Sequence, residues 1–292
     1  YKTTQIENLT TPDDVINFKN APSLIINEVK GWECFGVDGI IGSDLFASTI
    51  VSIDSQTKNI IVTSAEKPST ASLRKMLNFT KEGGMPIINV QIAPVSNITA
   101  LFDTGSHSLL SLIESDFERI EPEASMEVVS EGYGEGSIGV AGQAEKASSY
   151  RVHIPLLSVG ATKFRNLTTH TDKHPYTLLG VKLLQYGKVT IDYPRGRFYF
   201  EAFQPDNEIN NQCNNFDLTV KDGDLYVSTV WSSTKGKIEV GDKVIKINGK
   251  PAKKYDFCES ILNGIPKLKE KKQTKLTIET ASGIKNIIHK KE

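Results

Sequence analysis

Residues 100–112 read Ala-Leu-Phe-Asp-Thr-Gly-Ser-His-Ser-Leu-Leu-Ser-Leu. Leu101 and Phe102 run into Asp103-Thr104-Gly105-Ser106, and a second apolar segment follows. The pattern predicts a buried strand that delivers one carboxylate, Asp103, into a tight turn. Gly105 lets the backbone turn sharply. The hydroxyls of Thr104 and Ser106 are placed to hydrogen-bond locally and hold the loop. An Asp-Thr-Gly alone is short enough to arise by chance, and an ordinary β-turn uses the same residue types. What surrounds the stretch has to decide between the two.

Working outward, the chain of 292 residues has room for two domains or one large one, and for a sizeable core. Its net charge of -1 with 24% charged residues carries no nucleic-acid footprint. The Lys-rich run 267–275 and the tail His289-Lys290-Lys291 read as solvated surface. Short alternating runs of Val, Ile and Thr among 22 glycines favour a mostly β fold. The three cysteines, Cys34, Cys213 and Cys258, lie far apart without metal spacing, and neither demand nor exclude an oxidising compartment. No metal and no cofactor is expected. No stretch is long enough to span a membrane as a helix. The start, Tyr1-Lys2-Thr3, is neither an initiator Met nor a leader, so a processed or truncated chain is the expectation.

An internal repeat is the second strong signal. Residues 38–63, DGIIGSDLFASTIVSIDSQTKNIIVT, superpose without a gap on 176–201, YTLLGVKLLQYGKVTIDYPRGRFYFE, at an offset of 138 from Asp38 to Tyr176. Ile40-Ile41-Gly42 matches Leu178-Leu179-Gly180, and Val51-Ser52-Ile53-Asp54 matches Val189-Thr190-Ile191-Asp192. Each copy predicts a buried strand ending at Gly, a short helix, then a hairpin turning near 55–58 or 193–196. Between Asp103 and Gly180 lies a glycine-rich stretch, 130–143, SEGYGEGSIGVAGQ. Its Gly134, Gly136 and Gly139 formally spell a dinucleotide fingerprint, but Val140-Ala141-Gly142-Gln143 begins no helix, so that reading is discarded.

These features resemble the pepsin/retropepsin-like aspartic proteases. Asp103 matches the catalytic aspartate of that family's active-site loop, and Thr104, Gly105 and Ser106 match the positions after it. Both repeat copies resemble the apolar-apolar-Gly strand that passes behind such a loop. Tyr133-Gly134-Glu135-Gly136-Ser137 resembles the family's flap, a hairpin that closes over bound peptide, with Tyr133, Gly134 and Gly136 as its substrate-facing residues. The resemblance implies closed β-barrel lobes and a mechanism needing two aspartates. The second lobe, 83–203, is complete in order, with a strand at 87–92, the loop at Asp103, and Gly180 behind it. The first, 1–66, matches only as its C-terminal half. Subtracting the offset from 103 leads to position −35, ahead of Tyr1, and Asp38 and Asp44 sit on the wrong strand to replace the missing partner.

Residues 67–82, with Pro68 and a helix-like Leu73, Met76, Leu77 spacing, read as an interlobe linker, and the Asn-rich 204–215 as a second one. Beyond it, Gly241-Asp242-Lys243-Val244-Ile245-Lys246-Ile247-Asn248-Gly249-Lys250 resembles a segment of PDZ domains in which an Asn-Gly turn joins two strands. A strand at 225–231, a helix at 255–262 and a strand at 275–280 complete a PDZ-like α+β module over 216–292, with a ligand-binding loop near 216–220. His170 and His174 flank Asp172 in a predicted loop without further ligands of suitable spacing. His107 reads as a surface residue, and the Asn-x-Thr sites at Asn8, Asn78, Asn97 and Asn166 decide nothing.

The resemblance implies an aspartic endopeptidase acting on extended peptides. The PDZ-like module would bind substrate or a partner, and the second aspartate would come from a missing N-terminal segment or a second copy of the chain. The same arrangement resembles bacterial aspartyl-protease-type proteins, which implies a periplasmic or secreted location. The alternative is a non-catalytic peptide-binding protein on a degenerate protease scaffold.

Overall fold

A computed structural model describes residues 2–12, 14–25, 31–64, 75–93, 96–136, 138–139, 142–266, 268 and 271–292. It is mostly β. A hairpin of β1 (Lys2–Thr10) and β2 (Asn17–Ile25) opens the chain. A 3-10 helix (Trp32–Phe35) and another (Ser43–Phe46) lead into the hairpin of β3 (Thr49–Asp54) and β4 (Asn59–Ser64). Its turn lies where the repeat places it. The Asp54 side chain accepts from the backbone N–H of Gln56 and Thr57, at 2.9 and 3.3 Å.

Next come β5 (Met76–Glu82), β6 (Met85–Ile92), β7 (Ser96–Asp103), β8 (Leu110–Ile113) and α1 (Glu114–Ile120). β9 (Glu127–Gly134) and β12 (Ala147–Val159) form a long hairpin, tipped by the short strands β10 (Ile138–Gly139) and β11 (Gly142–Gln143). β13 (Thr162–Asp172), β14 (Thr177–Gly180), β15 (Gly187–Asp192), β16 (Arg197–Ala202) and β17 (Asp206–Glu208) follow. Six strands close into a barrel in the order β6-β7-β14-β8-β13-β12 and back to β6. Along β7 the even-numbered residues Ser96, Ile98, Ala100 and Phe102 point inward, because alternate side chains of a strand face opposite sides. Ile92, Leu112, Ile154, Leu157 and Phe164 fill the interior, where truncating one large aliphatic side chain costs about 2–5 kcal/mol.

A second sheet, β4-β3-β15-β16-β5, turns the sequence repeat into a symmetry. β3 and β15 are antiparallel, and Ser52 stands opposite Thr190 with Val51 opposite Ile191 and Ile53 opposite Val189. Ser52 and Thr190 are equivalent positions of the repeat, so a local two-fold axis passes between them. Their hydroxyls hydrogen-bond across it at 2.9 Å.

The two copies differ on either side of that axis. In the second, Leu178 and Leu179 lie in β14 between β7 and β8, and are 8% and 0% exposed. In the first, Ile40-Ile41-Gly42 forms no strand, and Ile40 and Ile41 are 56% and 53% exposed. Among the described residues no strand pairs with 40–42 as β7 and β8 pair with β14, so this copy lacks the neighbours that make its counterpart a strand. Two further expectations change. Of the helix-like spacing in 67–82, Leu73 lies outside the described residues, while Met76 and Leu77 belong to a strand that pairs with β6 and β16. His170 and Asp172 lie on β13 rather than in a loop. The Asn-rich 204–215 is bound to the barrel: β17 runs parallel to β13, and Asn211 exchanges hydrogen bonds with the backbone of Thr168.

The C-terminal module contains β18 (Phe216–Lys221), β19 (Asp224–Trp231), β20 (Lys243–Ile247), β21 (Lys250–Pro251), α2 (Phe257–Asn263), β22 (Gln273–Thr280) and β23 (Gly283–Lys290). It has its own core of Phe216, Leu225, Val244, Leu276 and Ile278. Asn248 and Gly249, both at positive φ (49° and 79°), make the expected two-residue turn between β20 and β21. Asp256 caps α2 by accepting from the Glu259 N–H at 2.8 Å. Cys258 on α2 is disulfide-bonded to Cys34 of the first 3-10 helix. Among the described residues no helix is long and apolar enough to cross a membrane.

Candidate functional site

Asp103 is the last residue of β7, where the apolar strand leaves the barrel. Its Oδ1 accepts from the Gly105 N–H at 2.8 Å, and its carbonyl from the Ser106 N–H at 3.2 Å, which closes the turn. Ser106 and Ser108 share a hydroxyl hydrogen bond of 3.0 Å. Thr104 and Gly105 are exposed, and Asp103 and Ser106 half-buried. The result is one carboxylate held by a backbone amide and open to solvent at the mouth of the barrel.

Behind this loop runs β14, parallel to β7, with Gly180 paired to Asp103. The Gly180 N–H donates to the Leu109 carbonyl at 3.1 Å and the Val181 N–H to the Ser106 carbonyl at 2.8 Å. The approach leaves no space for a side chain. A Cβ on Gly180 would stand 2.6 Å from the Ser106 carbonyl oxygen and closer to that of Ser108. The turn of Asp103 is thereby fastened to the repeat element that follows it by 77 residues (Asp103 to Gly180).

The histidine–aspartate group read without a role lies near this loop. His174 donates from Nε2 to Asp172 Oδ2 at 3.1 Å. That hydrogen bond raises the His174 pKa above its usual range; burial opposes it, and the negative charges of Asp172 and Asp103 add to it. Burial pushes the Asp172 carboxyl up, but the bond from His174 and the backbone N–H of Lys173 bring it below its usual range.

The glycine-rich hairpin borders a cavity of about 770 Å3. Ser108, Leu110, Gly134, Gly136, His170 and Arg151 are among its walls, and the C-terminal module closes it with Asp217 and Trp231. Gly134 and Gly136 share this cavity with Ser108–Leu110, whereas Asp103, Thr104, Gly105 and Ser106 are not among its walls. Tyr133 does not line the cavity and is 50% exposed, and Ser137 lies outside the described residues. The glycines of β9 also serve a purpose that hinge reasoning misses. A Cβ on Gly132 would stand 2.5 Å from the Trp231 ring, and one on Gly134 would stand 2.6 Å from Thr229 Cα, so they admit β19 alongside. Among the described residues of this stretch, Gly142 alone has a positive φ, 101°.

A second cavity, about 430 Å3, lies between β18 and α2, lined by Leu218, Thr219, Ile261, Ile265 and Leu268. Leu218 and Thr219 belong to the 216–220 stretch in which the resemblance placed a ligand-binding loop. Among the described residues the one group of three possible metal-ligating side chains is Glu33, Cys34 and Cys258, and disulfide sulfurs offer no thiolate.

No model of a known protein family matches the chain, and no curated protein matches it significantly.

Proposed function

We propose that this chain is the larger part of a pepsin/retropepsin-like aspartic endopeptidase with a C-terminal PDZ-like module. Asp103 is one of two catalytic carboxylates, Thr104, Gly105 and Ser106 shape its loop, and the hairpin of Tyr133, Gly134 and Gly136 covers an extended substrate. The observation that carries the reading is the backing of the Asp103 turn by Gly180, pressed between the Ser106 and Ser108 carbonyls. An incidental surface Asp turn has no need of that support.

Two carboxylates held together cannot both ionise, so the pair shares one proton. The charged member takes a proton from a water between them, and the resulting hydroxide equivalent adds to the scissile carbonyl carbon. The protonated member donates to the carbonyl oxygen. Collapse of the tetrahedral species returns that proton, breaks the C–N bond and protonates the leaving amine. The products are one acid and one amine per water. No covalent intermediate forms.

The partner carboxylate belongs on the far side of the local two-fold axis, on a segment that covers Ile40 and Ile41 as β7 and β8 cover Leu178 and Leu179. Polypeptide N-terminal to residue 1 is the source favoured by the half repeat, and a second copy of the chain is the other. The Cys34–Cys258 disulfide favours an oxidising setting, periplasmic or secreted. The β18–α2 groove favours capture of a peptide strand by the module, and it equally supports the second reading, a peptide-binding protein without catalysis.

The test is cleavage of unfolded casein across pH 3–8 by this chain and by a chain extended upstream, each with and without Asp103→Asn. Activity in the extended chain alone, lost in Asp103→Asn, is the expected result. Activity of the unextended chain that rises with protein concentration assigns the partner to a second copy. Turnover retained in Asp103→Asn would sink the protease reading, and silence throughout favours the binding protein.

A further inference from the structure

We propose that the C-terminal module is a clamp on the glycine-rich hairpin. Strand β19 holds β9 by main-chain pairing, Trp231 is the positioning residue, and the hairpin lifts only when this seam parts or the module travels with it. The inference rests on reading 130–143 as the cover of the cleft and goes beyond it by naming what restrains that cover.

A projecting hairpin ordinarily leaves its outer edge unpaired, with a row of free N–H and C=O groups. Here one edge of β9 is taken by β12 and the other by β19, with Gly132, Tyr133 and Gly134 opposite Trp231, Val230 and Thr229. The seam continues past the ladder. The Glu135 N–H donates to the Ser228 carbonyl at 2.9 Å, and the Glu131 N–H to Ser232 Oγ at 3.0 Å. The Ser232 N–H donates to Ser130 Oγ at 3.2 Å, and Lys221 pairs with Glu135.

Trp231 fastens the seam to both strands of the hairpin. Its ring occupies the space that a Gly132 side chain would fill on β9. The Arg151 guanidinium of β12 sits 3.7 Å from the centroid of the same indole, a favourable cation–π distance. The indole N–H donates to Asp217 Oδ2 at 2.9 Å, and Arg151 Nη1 donates to the Asn214 carbonyl at 2.6 Å. Asn214 and Asp217 also line the groove between β18 and α2. A strand bound in that groove therefore abuts the residues that hold Trp231 and Arg151.

The tip of the hairpin has an independent hold. The Trp32 indole N–H donates to the Gly139 carbonyl at 3.3 Å. Trp32 belongs to the 3-10 helix whose Cys34 is disulfide-bonded to Cys258 on α2. The module thus restrains the hairpin at its seam directly and at its tip through the disulfide.

Amide hydrogen exchange on the full, non-reduced chain tests this without substrate. Trp231→Ala is expected to speed exchange over 131–135 at least tenfold while β6 stays unchanged. Gly132→Ala, which leaves the module's own sequence intact, is expected to do the same because its methyl meets the indole. In the Trp231→Ala background Gly132→Ala should then add less than twofold. Unchanged exchange over 131–135 in both single variants overturns the clamp. So does a Gly132→Ala effect equally large with and without Trp231. Cys258→Ser should speed exchange at 138–139 and 142–143 and leave 131–135 alone, and an unmoved tip removes that second hold. A chain that shows the Trp231 effect but cleaves no casein in any form keeps the clamp and loses the protease. A chain that cleaves casein without the Trp231 effect loses the clamp alone.

Discussion

Replacing Gly180 by Ala should damage the barrel lobe far more than the same change at its repeat partner, Gly42. The φ of Gly180 is −90°, open to any residue, so only space forbids a side chain. The new methyl would stand 2.6 Å from the Ser106 carbonyl oxygen, 3.0 Å from Ser106 Oγ and nearer still to the Ser108 carbonyl. Two of these are backbone atoms, so the loop has to move as a unit. Overpacking of this kind costs about 1–3 kcal/mol, sometimes more. Straining the Gly180–Leu109 and Val181–Ser106 backbone hydrogen bonds adds about 0.5–1.5 kcal/mol each. Restricting the unfolded chain returns about 0.4–1 kcal/mol. The net loss is about 3 kcal/mol, or roughly 9–15 °C in the melting temperature of a lobe this size. At Gly42, φ −74°, the atoms a methyl would meet belong to the end of the Asp44 side chain, which can rotate away, so the change there should stay within about 0.5 kcal/mol. Thermal unfolding followed by circular dichroism reads both. Equal shifts in the two variants, or a Gly180→Ala loss under about 1 kcal/mol, would refute the close approach behind Asp103.

Ser52→Ala should cost about 1–2 kcal/mol by leaving the buried Thr190 hydroxyl without its partner, whereas Ser52→Ala with Thr190→Val should be close to neutral. A double-mutant cycle in urea checks this, and simple additivity contradicts the pairing on the two-fold axis. The His174–Asp172 bond predicts a pH-dependent stability difference between the native chain and His174→Gln. The raised His174 pKa contributes fully below about pH 6.5 and fades as pH rises through its folded value. The lowered Asp172 pKa contributes above about pH 3.9 and is lost as pH falls through its folded value. The difference should be widest near pH 5–6 and shrink toward pH 9; a constant difference refutes it. Burial pushes the Tyr193 phenol up to about 12, so an absorbance titration should leave at least one tyrosine un-ionised beyond pH 11 until the chain unfolds.

Some of this architecture is local and therefore legible in the sequence. The Asp103 turn follows from two apolar residues and a glycine, and the β20–β21 turn from Asn248-Gly249, whose backbones both take positive φ. The repeat was visible as residues at a constant offset. The two-fold axis was not legible there, because it exists only once β3 and β15 pair so that Ser52 meets its own copy, Thr190. Other features arise only when distant segments meet. The strand character of Met76 and Leu77 comes from pairing with β6 and β16, which overrides a helix-like spacing. Ile40 and Ile41 are exposed, with no strand paired to them among the described residues, while their own residue types match those of the buried second copy. Gly132 and Gly134 look like hinge glycines until β19 is found beside them. Cys34 and Cys258 are separated by 224 residues, and nothing in their spacing pairs them. Sequence alone thus determined the turn that presents Asp103 and the elements that repeat. Tertiary structure decided what presses behind that turn and which strands pair with the glycine-rich hairpin, because steric exclusion and main-chain pairing act between atoms that only folding brings together.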